Sequence, residues 1–357
     1  MQDNFNSYQN NEYTKNSSNT QQFGYMPQNH YFWYGLSPKA YEEKRAIKKA
    51  ALTIGGAFLV ILAISVLITY LYIIIKNIFS IPDRAFYDFL TEPAMAQIIQ
   101  IAFSITCFTL CFALVFKIAG YHISSLVPLK KVGKDIALPM FFFGMAFCSF
   151  ANIATAYLSN FFSQFGFDYD RGDDVLPKGV FGFLLVFIAR AVVPALVEEF
   201  ACRGLVLGSL RRFGDGFAIL ISAILFGLVH SNFEQIPFAF MVGLILGFAV
   251  VKTNSLRVAI VIHFCNNFIS VFFSYFLGAV SSNVQNLIYL TFLLVSLLLG
   301  ILFLSSSNLP ENLFSLKPSN TESTEKQKYK WFFTSPAIII FSILCIIIPI
   351  INYLRFQ

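Results

Sequence analysis

The sequence predicts an all-α fold, a polytopic transmembrane helical bundle with about eight to nine membrane-spanning helices. Composition gives the first indication: of 357 residues, 57% are hydrophobic and 12% are charged, and the mean hydropathy is +0.67. Soluble domains contain roughly 45–50% apolar residues. The second indication is length, because apolar stretches of about 20 residues recur from position 50 onward, each long enough to cross a hydrocarbon core of about 30 Å as a helix.

Nine apolar segments are the candidate spans, in chain order. They lie at 50–75, 96–117, 136–160, 180–212, 216–231, 236–251, 256–277, 285–304 and 335–354. Between the fourth and fifth of them, Phe213–Gly216 reads FGDG and predicts the turn of a helical hairpin. All six cysteines fall within apolar segments, where a thiol behaves as a small buried hydrophobe, so no disulfide framework is expected.

Two polar segments set the domain boundaries. Residues 1–45 are rich in Asn and Gln and cannot bury a core, so we expect a disordered cytoplasmic tail. Residues 305–333 are rich in Ser, Asn, Glu and Lys and predict a flexible cytoplasmic linker. These segments delimit a transmembrane domain at 46–304 and a C-terminal transmembrane helix at 334–357.

Basic residues cluster at every second connection between spans. They are Lys39, Lys44, Arg45, Lys48 and Lys49, then Lys130, Lys131 and Lys134, then Arg211 and Arg212, then Lys252 and Arg257, and finally Lys326, Lys328 and Lys330. The connection with Asp168, Asp170, Asp173 and Asp174 is acidic. Because cytoplasmic loops carry the excess of Lys and Arg, the N-terminus is expected in the cytoplasm. The formal charge of +6 is therefore interpreted as a topology signal, not as a nucleic-acid-binding surface.

Ionisable side chains also occur within the fourth span, where they are costly and suggest function. On a helix, Glu199 and Arg203 stand at i and i+4, close enough to form an ion pair. One interpretation of this pair is purely structural: the charges neutralise one another and fix the helix. Glu198 lies about 100° around the axis, and a carboxylate in a poorly solvated cavity is a candidate general base. Arg190 remains unassigned, because snorkelling toward an interface explains it equally well.

Two further motifs place polar groups in neighbouring spans, FGLVH at Phe226–His230 and HFCNN at His263–Asn267. A lone histidine or asparagine in a membrane is more often an interhelical hydrogen-bonding group than a catalyst. Depth argues for convergence, since Glu198 and His230 each lie about 20 Å from the predicted turn at 1.5 Å per residue. Counted from the next turn, Asn267 lies about 18 Å in and His263 about 12 Å. The spacing is compatible with one cavity open toward the cytoplasm.

The ordered pattern EExxxR (Glu198, Glu199, Arg203), FxxxH (Phe226, His230) and HxxxN (His263, Asn267) resembles the CAAX-protease and bacteriocin-processing family, the Abi or Rce1-like group. The resemblance covers about residues 180–275, which would form the catalytic core. It implies an intramembrane endopeptidase in which Glu198 and His230 activate water, while His263 and Asn267 hold the oxyanion. Arg203 is assigned to orienting Glu199. The implied partners are the lipid bilayer and a protein or peptide substrate that enters from the membrane or the cytoplasm, and the expected location is a bacterial plasma membrane.

Three alternatives remain open at this point. A zinc-dependent protease would use Glu198, His230 and His263 as ligands with an open water position, although no HExxH helix is present and no cofactor is certain. A non-catalytic immunity or scaffold protein would retain the fold without activity. An ion-coupled transporter would use the same carboxylate and imidazoles as a proton relay.

Overall fold

The structure, a computed structural model, describes residues 36–78, 92–164, 175–276, 280–306, 315–316 and 319–355. The described residues from Glu43 onward form one compact unit. Of the preceding unit, residues 1–42, the described part contains the beginning of the first helix. Most of the predicted disordered tail lies outside the described residues, but its last part, from Pro38 onward, is helical.

Ten helices account for most of the described residues. They are α1 Pro38–Ile78, α2 Pro93–Ile118, α3 Lys134–Ser163, α4 Gly179–Phe213, α5 Asp215–Leu228, α6 Gln235–Thr253, α7 Leu256–Phe276, α8 Ser282–Ser305, α9 Glu325–Phe333 and α10 Pro336–Arg355. Across the described ranges, β-pairing is limited to one isolated bridge between Leu129 and Ser255. The predicted all-α fold is confirmed.

The number of spans is seven by length and apolarity among the described residues, or eight if α9 and α10, which meet at a 72° bend, form one span. The segment predicted as a separate span at 216–231 is the 14-residue helix α5. At 1.5 Å per residue α5 is about 21 Å long, shorter than the roughly 30 Å of a bilayer core. A helix of this length is too short to cross a bilayer core by itself.

Large apolar side chains cover the outer faces of the helices. On α8, Leu287, Leu298 and Ile301 are more than half exposed, and 11% of its apolar window is buried within the protein. In water such a surface would be unfavourable, whereas lipid is as apolar as these side chains. The fold is that of an integral membrane protein.

Part of the segment 305–333, for which the sequence predicts a flexible linker, is ordered as α9. Thr324 begins this helix with a capping box in which its side chain and that of Gln327 bond reciprocally to the backbone. Lys328 is fully buried and donates from Nζ to the carbonyl oxygen of Phe213 at 2.7 Å. Helix α9 is thereby attached to the α4–α5 turn, because a buried ammonium group requires such partners.

Two π-helical stretches interrupt α4, at Ile188–Val192 and Phe200–Val206. They flank the α-helical segment Val193–Glu199. A π-helical turn widens the helix locally and is often found at functional sites. Sequence periodicity, which assumes 3.6 residues per turn, does not reveal this change of register.

Candidate active site

The charged pair of α4 is fully buried. Arg203 Nη1 donates to Glu199 Oε1 at 2.9 Å, and both side chains have 0% exposure. The Arg203 guanidinium also lies over the ring of Phe226, 4.1 Å from its centroid, which is a favourable cation–π geometry. Opposite it is Gly243 of α6, where an added Cβ would lie 3.3 Å from Arg203 Nη2. A glycine at this position thus leaves space for the guanidinium.

His263 of α7 lies between the two glutamates. Its Nδ1 is 3.0 Å from Glu199 Oε1, and its Nε2 is 3.9 Å from Glu198 Oε2. An ionised carboxylate can only accept, so Nδ1–H donates to Glu199 and the ring orientation is fixed. Nε2 then faces Glu198 beyond hydrogen-bond distance. Toward a molecule in the cavity it can accept in the neutral ring or donate in the doubly protonated ring.

His230 lies two residues beyond Leu228, the last residue of the short helix α5. Its Nδ1 is 2.7 Å from the carbonyl oxygen of Phe226. Because a carbonyl accepts, His230 donates from Nδ1, and in the neutral ring this leaves the lone pair on Nε2. This tautomer is suited to orienting or deprotonating a water molecule in the cavity.

Phe226 contacts three of the polar groups. The ring centroids of His230 and His263 lie 5.0 and 5.9 Å from its own, both edge-to-face, in addition to the contact with Arg203. The sequence identified Phe226 as a motif residue without a role. In the structure its ring is in contact with both imidazoles and the guanidinium.

Asn267 is held by a chain of amides. Its Nδ2 donates to the backbone carbonyl of Arg190 at 3.2 Å, and its Oδ1 accepts from Asn266 Nδ2 at 3.2 Å. Asn266 Oδ1 in turn accepts from Asn152 Nδ2 of α3, also at 3.2 Å. These bonds fix the Asn267 amide and leave the second N–H of its Nδ2 for another acceptor.

Three residues of this network were missed by the sequence analysis: Asn152, Asn266 and Gln97. Gln97 of α2 accepts from Arg190 Nε at 3.1 Å, which gives the previously unassigned Arg190 a structural partner. A search for amides as well as ionisable groups within apolar spans would have found all three, because both types need hydrogen-bond partners in lipid.

One cavity of about 340 Å³ brings most of the predicted residues together. Its lining includes Glu198, His230, His263, Asn267 and Arg190. The Glu198 side chain is 15% exposed, whereas that of its neighbour Glu199 is 0% exposed. Of the two glutamates, Glu198 is therefore the one that a substrate or water can reach.

The direction in which this cavity opens differs from the expectation. Its lining residues Gln100, Gln235 and Ser274 are exposed, while Phe226, Val242 and His263 are buried. Gln235 is the first residue of α6 and Ser274 is near the end of α7, so both lie far from the α4–α5 and α6–α7 turns. The exposed part of the cavity lining therefore lies at the end remote from these turns.

The zinc alternative requires Glu198, His230 and His263 to converge on one point about 2.0–2.2 Å from each ligand atom. In the described part of the chain, no group of three or more His, Cys, Asp or Glu side chains is placed to hold a metal ion.

Fold and cavity together define an integral membrane protein with a polar, partly solvent-accessible site between α4, α5, α6 and α7. Residues 180–269 match the family described as type II CAAX prenyl endopeptidase, Rce1-like. This match contains all three sequence motifs, and it confirms the resemblance inferred from them.

A curated relative is the membrane-embedded CAAX protease MroQ of Staphylococcus aureus (strain USA300). It is 32% identical over 91 residues, which cover 24% of this chain and 36% of the relative. The chain thus matches about a third of the length of that protein. No solved structure matches the chain.

Proposed function

We propose that this protein is an intramembrane endopeptidase of the CAAX-protease and bacteriocin-processing type. The observation that carries the proposal is the arrangement of Glu198, His230, His263 and Asn267 around one cavity. The match of the same region to Rce1-like endopeptidases adds independent support. The name of the Staphylococcus relative makes a protein or peptide the expected substrate.

In the proposed reaction, Glu198 takes a proton from a water molecule while the water oxygen attacks the carbonyl carbon of the scissile peptide bond. His230 holds this water through Nε2, the nitrogen left free by its bond to Phe226. General-base assistance of this kind contributes typically about 10²–10⁴-fold. Collapse of the tetrahedral intermediate breaks the C–N bond, and Glu198 returns the proton to the departing amine. The water oxygen ends in the new carboxyl group.

Asn267 and His263 stabilise the negative oxygen that develops on the carbonyl. Asn267 offers the second N–H of its amide, which is oriented by Arg190 and Asn266. His263 offers Nε2–H, and because its Nδ1–H donates to Glu199, the donating ring is an imidazolium whose charge opposes that of the oxyanion. Prearranged donors in a poorly solvated site are worth more than in water.

In this proposal Arg203 and Glu199 do not contact the substrate and act through His263. Arg203 holds the Glu199 carboxylate, and Glu199 holds the His263 ring. In this chain of contacts the buried ion pair determines which nitrogen of His263 faces the cavity. The pair thus has two roles in this proposal: it neutralises charge within α4, and it orients His263 for the reaction.

The proposal is tested by incubating the detergent-purified protein with membrane peptides and following the products by mass spectrometry. We expect cleavage by the unaltered chain, with and without a chelator, and none by Glu198→Ala. Chelator-sensitive cleavage that zinc restores would favour the zinc-dependent version. Uptake of ions or solutes into liposomes without any cleavage would favour a transporter, and a biological effect retained by Glu198→Ala would favour a scaffold.

A further inference from the structure

The cavity extends from the reacting groups in one direction along three helices. On α4 its lining residues are Glu198, Pro194, Arg190 and Val186, each further from the α4–α5 turn than the one before. On α7 they run from His263 to Ser274, away from the α6–α7 turn. On α6 they occupy the N-terminal half, from Gln235 to Val242. Since α4 and α6 run toward the turns and α7 runs from them, all three sets of lining residues extend from the reacting groups away from these turns.

The other end of the site is closed by packed side chains. Toward the α4–α5 turn, Arg203, Leu205, Leu207 and Leu210 have 0% exposure. The rim of the cavity, in contrast, consists of the exposed amides Gln100 and Gln235 and the exposed hydroxyl of Ser274. These groups carry no charge and can bond to the backbone of an extended peptide.

The two faces of the protein differ in charge. Arg211 and Arg212 lie at the end of α4, Lys252 near the end of α6, and Arg257 at the start of α7. This basic face contains the closed end of the site, and by the excess of Lys and Arg it is the cytoplasmic one. The rim of the cavity therefore faces the other side of the membrane.

We infer that the substrate is a polypeptide presented on the extracytoplasmic side, an exported or membrane-anchored chain whose scissile bond enters the cavity from that face. This inference rests on the proposed peptidase function and adds the direction of approach. It differs from the cytoplasmic opening suggested by the residue count from the turns. That count gave the depth of the polar groups but not the side on which packed side chains close the site.

The depth of the site also limits the form of the substrate. His263 and Ser274 are separated by about 11 residues, or about 17 Å along α7 at 1.5 Å per residue. An extended chain advances about 3.3 Å per residue, so about five residues must be unfolded between the rim and the scissile bond. A substrate with a folded domain closer than this to its cleavage site should be resistant.

The direction is tested by cysteine accessibility in intact cells, with a membrane-impermeant maleimide. Ser274→Cys and Arg257→Cys form a matched pair, because both positions are exposed and lie near opposite ends of α7. We expect Ser274→Cys to be labelled in intact cells and Arg257→Cys only after permeabilisation, relative to the unaltered chain with its native thiols. The reverse pattern would overturn the inference. Gln235→Cys, at the same rim but on α6, provides the test if Ser274→Cys fails to fold.

A second readout separates this inference from the proposed function. Labelled Ser274→Cys should cleave a membrane peptide at least tenfold more slowly than the same variant unlabelled, whereas labelling should leave Arg257→Cys unaffected. Undiminished cleavage by labelled Ser274→Cys would refute access through this rim. If the unaltered chain cleaves no peptide while the labelling pattern is as expected, the peptidase function fails and the orientation of the cavity is still supported.

Discussion

Replacement of Arg203 by methionine should destabilise the protein strongly, and the additional change Glu199→Gln should restore most of the lost stability. Both side chains are fully buried and joined at 2.9 Å. Removing one partner of a buried ion pair costs about 3–5 kcal/mol because the other charge is left uncompensated. His263, which also contacts Glu199, compensates part of that charge, so we expect the lower end of the range. Methionine keeps a contact with Phe226 in place of the guanidinium.

The double variant removes both charges of the pair, so neither is left without its partner. Uncharged groups of similar volume in place of a buried ion pair are often neutral or stabilising. The measurement is the folded fraction that survives heating in detergent, read by size-exclusion chromatography, for the unaltered chain, Arg203→Met, Glu199→Gln and the double variant. A single variant as stable as the unaltered chain, or a double variant no more stable than Arg203→Met, would refute the reasoning.

Activity of the same double variant decides between the two interpretations of the pair. If Glu199 positions His263, a stable double variant should cleave peptide poorly, because a neutral amide holds the imidazolium less strongly than a carboxylate does. If the pair merely fixes the helix, a stable double variant should cleave at the normal rate.

Three further predictions concern the surroundings of the site. Asn267→Ala should lower kcat by about 10²–10³, the usual effect of losing one oxyanion donor. The variant should still be recovered as folded protein in size-exclusion chromatography, with the modest loss of stability expected from its unsatisfied hydrogen-bond partners. Asn152→Leu removes the outermost amide of the chain that orients Asn267. It should lower kcat about fivefold, the equivalent of about 1 kcal/mol, with little change in KM. A fall in kcat that is matched by the fraction of protein lost to unfolding would indicate misfolding instead. Gly243→Ala places a Cβ 2.9 Å from a backbone atom of α5, and should lower the stability by about 1–3 kcal/mol in thermal unfolding. Gly56→Ala, with nothing within 4 Å, is its control and should be neutral or stabilising.

The positions of the helices and the main polar residues could be predicted because both signals are local in sequence. Apolar stretches of sufficient length specify the spans, and the i,i+4 spacing of Glu199 and Arg203 brings them together on any regular helix. The depth count, which depends only on helical rise and the position of a turn, predicted Glu198 and His230 at one level, and both line the same cavity. The roles of these residues remain predictions until activity is measured.

What the sequence did not reveal depends on which helices are neighbours. Asn152 is 114 residues from Asn266, the partner that it orients, and local periodicity does not determine such pairings. The contacts of the Phe226 ring likewise depend on helices α4, α5 and α7 being neighbours, since they bring Arg203, His230 and His263 to one ring. The direction of the cavity depends on where side chains fill the protein interior. The sequence does not show this, because apolar residues that fill the interior and those that face lipid are alike.

Hydrolysis transfers one oxygen atom from water to the new carboxyl group, so cleavage in water labelled with heavy oxygen tests the role of Glu198 most directly. Glu198→Gln is the matched variant, since it keeps the side-chain shape and removes the base. We predict a peptide product from the unaltered chain with one heavy oxygen in its C-terminal carboxyl group, and no such product from Glu198→Gln. Equal amounts of labelled product from both proteins, or none from the unaltered chain, would contradict hydrolysis by this site.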